Sequence, residues 1–366
     1  MLVAANFFTA CGAYQVTEVV DTQELEETTE EPAGKVGVLM PSKTEERWEK
    51  DAENITKTLE SYGYEVTVEF AVNNAYIQVR QLEELLEQQV DCLVISAVDP
   101  GMLSQCLKEA KEQGVSIISY DRLLMNTEAV SYYATFDNRN IGIAMGSYIK
   151  EKEELEQVRK KGEHRTIEFF MGSPDDNNAR LVYEGIMEVL QEYLEDGTLV
   201  CNSGRTQFTD TSVMRWSEYL AQKEAVYTLR ADYSEEKLDI ACCANDNICA
   251  GIITALEQEG YTAADWPLLT GQDAGVAAVK RIMAGKQTMS VYKDTRALAD
   301  KCASMVRACI EGSRPEINNK NDFDNGVIRV PTYLCTTIVV DKSNYKEILI
   351  DGGYYTTSQL ESDTSR

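Results

Sequence analysis

The chain has 366 residues, 43% of them hydrophobic, so its length allows about two domains, each with its own core. Its formal net charge of −26 argues against nucleic-acid binding, which needs clustered Lys and Arg to neutralise phosphates. The single histidine, His164, lies in a polar stretch and is interpreted as a solvated loop residue. Zinc sites built on His and His-based acid–base catalysis therefore have little support, and neither a metal nor a cofactor is expected.

The N-terminal segment predicts export and anchoring. Residues 1–11 are interpreted as the remnant of a signal, because Phe8-Thr9-Ala10-Cys11-Gly12 resembles a bacterial lipoprotein cleavage box with Cys11 as the lipidated residue. Phe8 stands where leucine is usual, and no basic residue precedes the apolar stretch. Residues 12–34 are acidic, lack basic residues and predict a flexible tether. The alternative is a disordered tail with an incidental cysteine.

From Lys35 onward, strand patterns and helix patterns alternate. In the first half, strands are predicted at Lys35–Met40, Tyr64–Phe70, Cys92–Ser96, Ser116–Tyr120 and Tyr132–Phe136. Helices are predicted at Thr44–Ser61, Ala75–Glu87 and Met102–Gln113. This alternation predicts a parallel sheet with helices on both faces.

The same alternation restarts after a polar stretch at residues 150–165, which is interpreted as a solvated helix and loop. Strands are predicted at Thr166–Met171, Thr198–Cys201, Leu238–Cys243, Pro267–Gly271 and Thr288–Tyr292. Helices are predicted at Asn178–Tyr193, Ser217–Thr228, Ile248–Glu259, Ala274–Ala284 and Thr295–Ile310. The fold class is therefore α/β, with two doubly wound parallel-sheet domains and a ligand cleft between them.

Ten cysteines occur without a Cys-x-x-Cys pair. Seven of them fall in apolar strand patterns or on apolar helix faces, namely Cys92, Cys106, Cys242, Cys243, Cys302, Cys309 and Cys335. They are interpreted as buried free thiols that pack as small hydrophobic side chains.

Polar and aromatic side chains follow several of the predicted strands. They occur in Glu46-Arg47-Trp48, Tyr120-Asp121-Arg122, Ser173-Pro174-Asp175-Asp176-Asn177-Asn178, Ala244-Asn245-Asp246 and Gly271-Gln272-Asp273. In open α/β folds, ligands bind at the carboxyl ends of the strands. Charged groups and amides beside a tryptophan suit a ligand that has many hydroxyls and an apolar ring face, which is a sugar.

The candidate ligand residues supply complementary hydrogen-bonding groups. The side chains of Arg47, Arg122 and Lys293 donate only, those of Asp121, Asp176 and Asp273 accept only, and those of Asn178 and Asn245 do both. Trp48 and Trp216 offer rings for the two faces of a pyranose. Structural alternatives remain open: core packing for either Trp, helix N-capping near Asp176 and Asn178, an Asp121–Arg122 ion pair, and a cap at Asp246. Gln272 is interpreted as structural.

Seven stretches in order along the chain resemble bacterial solute-binding proteins for monosaccharides, of the xylose-binding and multiple-sugar-binding type that feeds ABC transporters. They are Glu46-Arg47-Trp48, Ser119–Arg122, Ala134–Asn138, Gly172–Ala179, Gly271–Ala274, Val291–Thr295 and Asp351–Tyr355. The resemblance implies a type I periplasmic binding protein fold, an extracytoplasmic location and an ABC permease as partner. Met214-Arg215-Trp216 resembles the second stacking site of that family. A monomer is expected.

The chain is expected to pass between its two lobes three times, near Asp137-Asn138, near Lys293 and near Thr332, so that three strands form a hinge. The predicted N-terminal lobe comprises residues 35–137 and 294–332. The predicted C-terminal lobe comprises residues 138–293 and 333–358.

There are three alternative functions. A glycosidase needs paired carboxylates, which the chain has, but Asp121, Asp176 and Asp273 come with Arg and Asn, which favours holding a sugar over cleaving it. A sugar-responsive repressor would need a DNA-binding helix pair that the first 34 residues lack. A receptor that reports sugar to a membrane kinase would use the same cleft, and stays open beside transport.

Overall fold

A computed structural model describes residues 33–43 and 46–361, which belong to one compact unit. The predictions for residues 1–32, including lipidation of Cys11 and most of the acidic tether, lie outside the described residues. None of the helices in the described part combines the length and apolar character that crossing a bilayer requires.

Twelve strands occur in the described residues: β1 (Lys35–Met40), β2 (Glu65–Phe70), β3 (Cys92–Ile95), β4 (Ser116–Tyr120), β5 (Tyr132–Phe136), β6 (Arg165–Phe170), β7 (Leu199–Val200), β8 (Ile240–Cys243), β9 (Leu268–Leu269), β10 (Met289–Lys293), β11 (Thr332–Cys335) and β12 (Thr337–Asp341). The α-helices there are α1 (Glu46–Ser61), α2 (Ala75–Glu87), α3 (Ser104–Glu112), α4 (Asn138–Lys152), α5 (Leu155–Lys161), α6 (Asn177–Glu195), α7 (Phe208–Thr211), α8 (Glu218–Asp232), α9 (Asp246–Gln258), α10 (Val276–Met283), α11 (Thr295–Ile310) and α12 (Thr357–Glu361). A 3₁₀ turn spans Met214–Trp216, and a π-helical turn spans Lys346–Asp351.

The first sheet is six-stranded and parallel, in the order β11-β5-β4-β3-β1-β2. Strand β1 is buried along its length except at Lys35, as expected for a parallel strand covered on both faces. Helix α1 covers one face through Trp48, Ala52, Ile55 and Leu59, whose spacing places them on a single helix face.

The second sheet is parallel over β7-β6-β8-β9. A parallel bridge between Gln272 and Val291 continues it to β10, and β10 pairs antiparallel with β12. The predicted fold class, two parallel-sheet α/β halves, is therefore confirmed.

The chain changes sheets three times. The first crossing, from the first sheet to the second, runs from β5 to α4, which packs on α6. The second crossing returns from β10 to α11, which packs on β3 and β4. The third runs from β11 in the first sheet to β12 beside β10. The predicted lobe boundary between residues 332 and 333 divides β11, which pairs along its length with β5 in the first sheet. We propose that the third crossing lies at Thr336 instead.

Helix α4 was missed by the sequence analysis because Gly142 and Gly146 interrupt its apolar pattern. Those glycines have a packing role. A Cβ atom at Gly142 would lie 2.0 Å from the carbonyl oxygen of Val182, and one at Gly185 would lie 2.1 Å from that of Arg139. The backbones of α4 and α6 are therefore in direct contact. Helix α5, in the stretch expected to be solvated, buries the side chains of Leu155 and Val158.

The nine cysteines in the described residues are all free. Six of the seven predicted to be buried are buried, whereas Cys309 is half-buried. Desolvation raises the pKa of the buried Cys92 thiol well above its ordinary value, as expected for a thiol that acts as a core side chain.

Candidate functional site

A cavity of about 270 Å³ lies where loops from both sheets meet. The residues that line it follow β1, β4 and β5 of the first sheet and β6 to β10 of the second, so it lies at the carboxyl ends of the strands, where open α/β folds bind ligands. All ten predicted ligand residues line it: Arg47, Trp48, Asp121, Arg122, Asp176, Asn178, Trp216, Asn245, Asp273 and Lys293. That they contact a ligand stays a prediction.

Arg47 is the centre of the charge network in this cavity. Its guanidinium donates a hydrogen bond to Asp121, lies 3.5 Å from the Asp51 carboxylate and 3.6 Å from the Asp273 carboxylate. The Lys293 ammonium lies 2.6 Å from the same Asp273 oxygen. Asp121 lies on the side of the first sheet and Asp273 on the side of the second, so Arg47 links the two sides of the cavity.

The alternative of an Asp121–Arg122 ion pair is wrong. Asp121 pairs with Arg47, whereas the Arg122 Nε atom lies 3.7 Å from the Asp176 carboxylate. Each pair joins side chains from distant segments of the chain: Arg47 lies in α1 and pairs with a residue that follows β4, whereas Arg122 follows β4 and pairs with the N-cap residue of α6. Sequence neighbours are thus held apart by partners that only the tertiary structure supplies.

The buried carboxylates of this network differ in protonation. Burial raises the pKa of Asp121, but the charges of Arg47 and Lys293 outweigh it and hold that pKa below its ordinary value. Burial raises the pKa of Asp51 to about 7, and the attraction of Arg47 offsets only part of this. Burial also raises the pKa of Asp176, against the opposing charge of Arg122. Asp121 is therefore a fixed anion at neutral pH, whereas Asp51 titrates near it.

The two candidate stacking residues have different surroundings. Trp48 is 2% exposed and belongs to the core, so most of its surface has the packing role given above as the alternative. The guanidinium carbons of Arg47 and Arg122 lie 4.7 and 5.2 Å from the centroid of its ring. Trp216 is half-buried, and its Nε1 atom donates a 3.2 Å hydrogen bond to Asp176. Gly172 makes room for that indole, since a Cβ atom there would lie 2.2 Å from its Cη2 atom.

Several residues of the cavity have left-handed backbone conformations. The φ angles are 60° at Asp121, 95° at Asp273 and 55° at Trp216. Such conformations cost a non-glycine residue about 1–3 kcal/mol and are concentrated at ligand sites. Their grouping here is independent support for a binding role of the cavity.

Asn178 and Asp176 serve both as structural groups and as cavity lining. The Asn178 amide donates to the carbonyl of Asp121 at 2.8 Å and accepts from the amide of Asn138 at 3.0 Å. The Asp176 carboxylate accepts from the backbone N–H of Asn178 at 2.9 Å, which is the capping role weighed as its alternative. Asn178 thereby connects loops of the two sheets.

The N-cap of α9 is Asn245, whose side chain accepts from the backbone N–H of Ile248 at 2.9 Å; the predicted cap at Asp246 is wrong. Asp246 is buried and accepts hydrogen bonds from Gln287 at 2.7 Å and Ser290 at 2.9 Å. Burial, with the nearby charge of Asp273, raises its pKa to about 7.

Sequence reasoning missed some of the lining. Gln272, which was interpreted as structural, lines the cavity, and its Oε1 atom is buried without a hydrogen-bond partner among the described residues. Other unpredicted lining residues include Lys50, Asn138, Thr295, Tyr354 and Tyr355. The two tyrosines lie in one of the stretches that carry the family resemblance, which is the signal that could have found them.

Stability should depend on pH through Asp246. The folded protein keeps this proton up to about pH 7, whereas the unfolded chain loses it near the ordinary pKa of 3.8, so unfolding releases a proton between these values and stability falls as the pH rises. The Asp246→Asn variant has no such proton. We expect its free energy of unfolding, measured by urea denaturation, to fall less steeply than that of the wild type between pH 5 and 7. The two slopes should differ by about 1.4 kcal/mol per pH unit. Parallel curves for the two proteins would contradict this assignment.

The arrangement suits recognition of a neutral, polyhydroxylated molecule. Arginine and lysine donors alternate with aspartate acceptors around the cavity, and two indole rings lie beside them. Within residues 33–43 and 46–361, no group of three or more His, Cys, Asp or Glu side chains is arranged to hold a metal ion.

Comparison with known proteins gives one family. Residues 36–314 match the family model described as a periplasmic binding protein domain. The chain is 39% identical to the multiple sugar-binding periplasmic receptor ChvE of Rhizobium radiobacter, over 90% of this chain and 92% of the relative. It is 33% identical to the D-xylose-binding periplasmic protein of Escherichia coli, over 89% of this chain and 92% of the relative.

Solved structures of solute-binding proteins have the same fold as this chain. A solute-binding protein of an ABC transporter from Clostridium phytofermentans, with bound β-D-glucose, superposes with a TM-score of 0.86 at 43% identity, covering 89% of this chain and all (100%) of that one. A carbohydrate transporter solute-binding protein from Chloroflexus aurantiacus, in complex with D-glucose, gives a TM-score of 0.78 at 28% identity, over 88% and 97% of the two chains.

Proposed function

The chain belongs to the periplasmic binding protein family, and we propose that it binds a monosaccharide outside the cytoplasm for delivery to an ABC sugar importer. The observation that carries the proposal is the cavity itself, in which ten donor, acceptor and aromatic residues converge from both sheets. The relatives named for sugar binding and the glucose-bound structural neighbours support an aldose such as glucose or xylose.

Affinity and specificity follow from the hydrogen bonds. Each sugar hydroxyl both donates and accepts, so it can bridge a cation and a carboxylate that already face each other, such as Lys293 and Asp273. Hydrogen bonds to charged groups contribute about 1.5–3 kcal/mol each, and a missing hydroxyl leaves such a group buried without its partner. The cavity therefore selects by the pattern of hydroxyls.

Binding is coupled to the relative position of the two halves. Arg47, Asp121 and Arg122 follow strands of the first sheet. Asp176 and Asp273 follow strands of the second, and Lys293 is the last residue of β10, so a ligand between the two groups contacts both sides. Such a ligand stabilises the closed arrangement by its differential affinity for that arrangement. An ABC permease can then distinguish the loaded protein from the empty one.

We propose that the cleft holds the sugar without cleaving it. The three carboxylates expected to face the ligand each have a cationic neighbour: Asp121 has Arg47, Asp176 has Arg122 and Asp273 has Lys293. A glycosidase needs one carboxyl group free to give its proton to the glycosidic oxygen and another to act on the opposite face.

A receptor that reports sugar to a membrane kinase is the second candidate, and it is favoured by the similarity to a relative that is named a periplasmic receptor. The two roles differ in their partner. Reconstitution with a permease and ATPase would give sugar-dependent ATP hydrolysis for the transport role, whereas the receptor role would give none.

Anchoring through Cys11 and a monomeric state complete the proposal. Lipidation at Cys11 would place the protein in the membrane fraction of cells, and the Cys11→Ser variant would move to the soluble fraction. Sedimentation equilibrium of the Cys11→Ser variant would give the monomer mass. An unchanged membrane fraction would remove the anchor from this account without affecting the sugar site.

The function is tested by thermal unfolding of the protein with a panel of monosaccharides. A ligand that binds only the folded state at a thousand times its Kd adds about 4 kcal/mol to the free energy of unfolding. We expect a clear rise in Tm with at least one of glucose, xylose, galactose and arabinose. An unchanged Tm with every sugar would overturn the monosaccharide assignment.

A further inference from the structure

A second cavity, of about 470 Å³, adjoins the first. Arg122, Asp176 and Trp216 line both cavities, so these three side chains form the border between them. A single sugar ring in the first cavity leaves the second cavity unfilled. A ligand held against the border lies next to this space.

Two backbone segments with left-handed conformations line the second cavity. Val72 and Asn73, which follow β2, have φ angles of 49° and 55°, and Arg215 and Trp216 have φ angles of 56° and 55°. Two consecutive non-glycine residues in this region are uncommon, and a β-branched residue such as Val72 is an outlier there. Strained backbone conformations of this kind are concentrated at functional sites, where they hold side chains in the orientation that binding needs.

The lining combines an aromatic platform with polar groups. The Tyr76 side chain is 74% exposed, and Val72 and Met102 add further exposed apolar surface beside it. Among the described residues, the Arg215 guanidinium has no hydrogen-bond or ion-pair partner. Asp99 and Asp175 provide carboxylate acceptors. A ring to stack on, a donor and acceptors are the groups that a sugar residue uses.

The charges argue against an anionic occupant. Two cations, Arg122 and Arg215, line the second cavity together with three carboxylates, those of Asp99, Asp175 and Asp176. A phosphate or sulfate ester would meet more negative than positive charge. A neutral molecule with hydroxyl groups has no such penalty.

We propose that the second cavity seats the second sugar residue of a disaccharide whose first residue occupies the first cavity. The inference rests on the proposed function, because it takes the first cavity as the monosaccharide site. The first ring would stack on Trp216 and direct its glycosidic oxygen toward Arg122. The second ring would lie on Tyr76, with its hydroxyls bonded to Arg215 and Asp99.

Calorimetric titration of the full chain tests the proposal with two monosaccharides, glucose and xylose, and three disaccharides, cellobiose, maltose and xylobiose. We expect one of the disaccharides to bind with one-to-one stoichiometry. The Tyr76→Ala variant removes the platform and should raise the Kd of that disaccharide about fivefold to tenfold, as expected for a lost ring contact, while leaving the Kd of the monosaccharide unchanged.

A matched control is Tyr227→Ala, since Tyr227 is also on a helix, is 72% exposed and lines neither cavity. Monosaccharide binding without disaccharide binding would overturn the second-residue site and leave the proposed function intact. Disaccharide binding that Tyr76→Ala weakens no more than Tyr227→Ala would also overturn it. Disaccharide binding that Tyr76→Ala alone weakens, without monosaccharide binding, would support the second site and correct the proposed function.

Discussion

Replacing Arg47 with methionine is expected to lower the free energy of unfolding by about 3–5 kcal/mol, because removal of one member of a buried charge network leaves the others unpaired. The carboxylates of Asp51 and Asp121 are both buried, and Arg47 contacts both of them. The same variant should weaken binding of the preferred sugar about 10- to 100-fold, through loss of a charged hydrogen-bond donor. Urea denaturation and calorimetry measure the two effects.

Two further variants sharpen this test. Arg80→Met removes an arginine whose side chain is 78% exposed and lies 3.8 Å from Glu84, and such surface pairs contribute about 1 kcal/mol or less. Adding Asp121→Asn to Arg47→Met should restore part of the lost stability, because Asp121 is the ionised carboxylate that loses its hydrogen-bonded cation. An Arg47→Met variant as stable as Arg80→Met would contradict the central place given to Arg47.

Trp216→Ala is expected to raise the Kd for the sugar about 30-fold or more, as for a ring that serves as a binding hot spot. The substitution removes the stacking surface and leaves Asp176 without the donor that lies 3.2 Å away. Trp216→Phe keeps an aromatic face but lacks that donor, so its Kd should lie between those of the wild type and the alanine variant. Calorimetric titration with the preferred sugar gives all three values.

Trp266→Ala is the matched control for this series. Trp266 is also half-buried, and its Nε1 atom donates to a backbone carbonyl, that of Lys286 at 2.9 Å, but it does not line the cavity. Its loss should cost stability without changing the Kd. Equal losses of affinity in Trp216→Ala and Trp266→Ala would mean that the ring of Trp216 has no direct role in binding.

The fold could be predicted from periodicity because most elements have an unbroken pattern. Helices Ala75–Glu87 and Thr295–Ile310 and strand Tyr132–Phe136 have the predicted bounds. Helix α4 was missed because the glycines that let it approach α6 also remove the apolar side chains that mark a helix face. Strand β7 is shorter than predicted, at two residues, because only Leu199 and Val200 pair with β6.

The site could be predicted in part, because its residues lie at the carboxyl ends of predicted strands. The ten predicted residues meet in one cavity because parallel strands bring their carboxyl ends to one edge, and the family resemblance was confirmed by the comparisons. The partners of these residues could not be predicted. Local sequence does not distinguish Asn245 from Asp246 as the cap of α9, and the pairing of Asp121 with Arg47 depends on packing between distant segments.

The most direct test of the sugar site is a crystal structure of the protein with the sugar that gives the largest rise in Tm. We expect one sugar ring in the first cavity, with a face on Trp216 and hydroxyls within hydrogen-bond distance of Arg47, Asp121 and Asp273. Density for the sugar at any other place, with the first cavity filled only by water at saturating sugar, would contradict it.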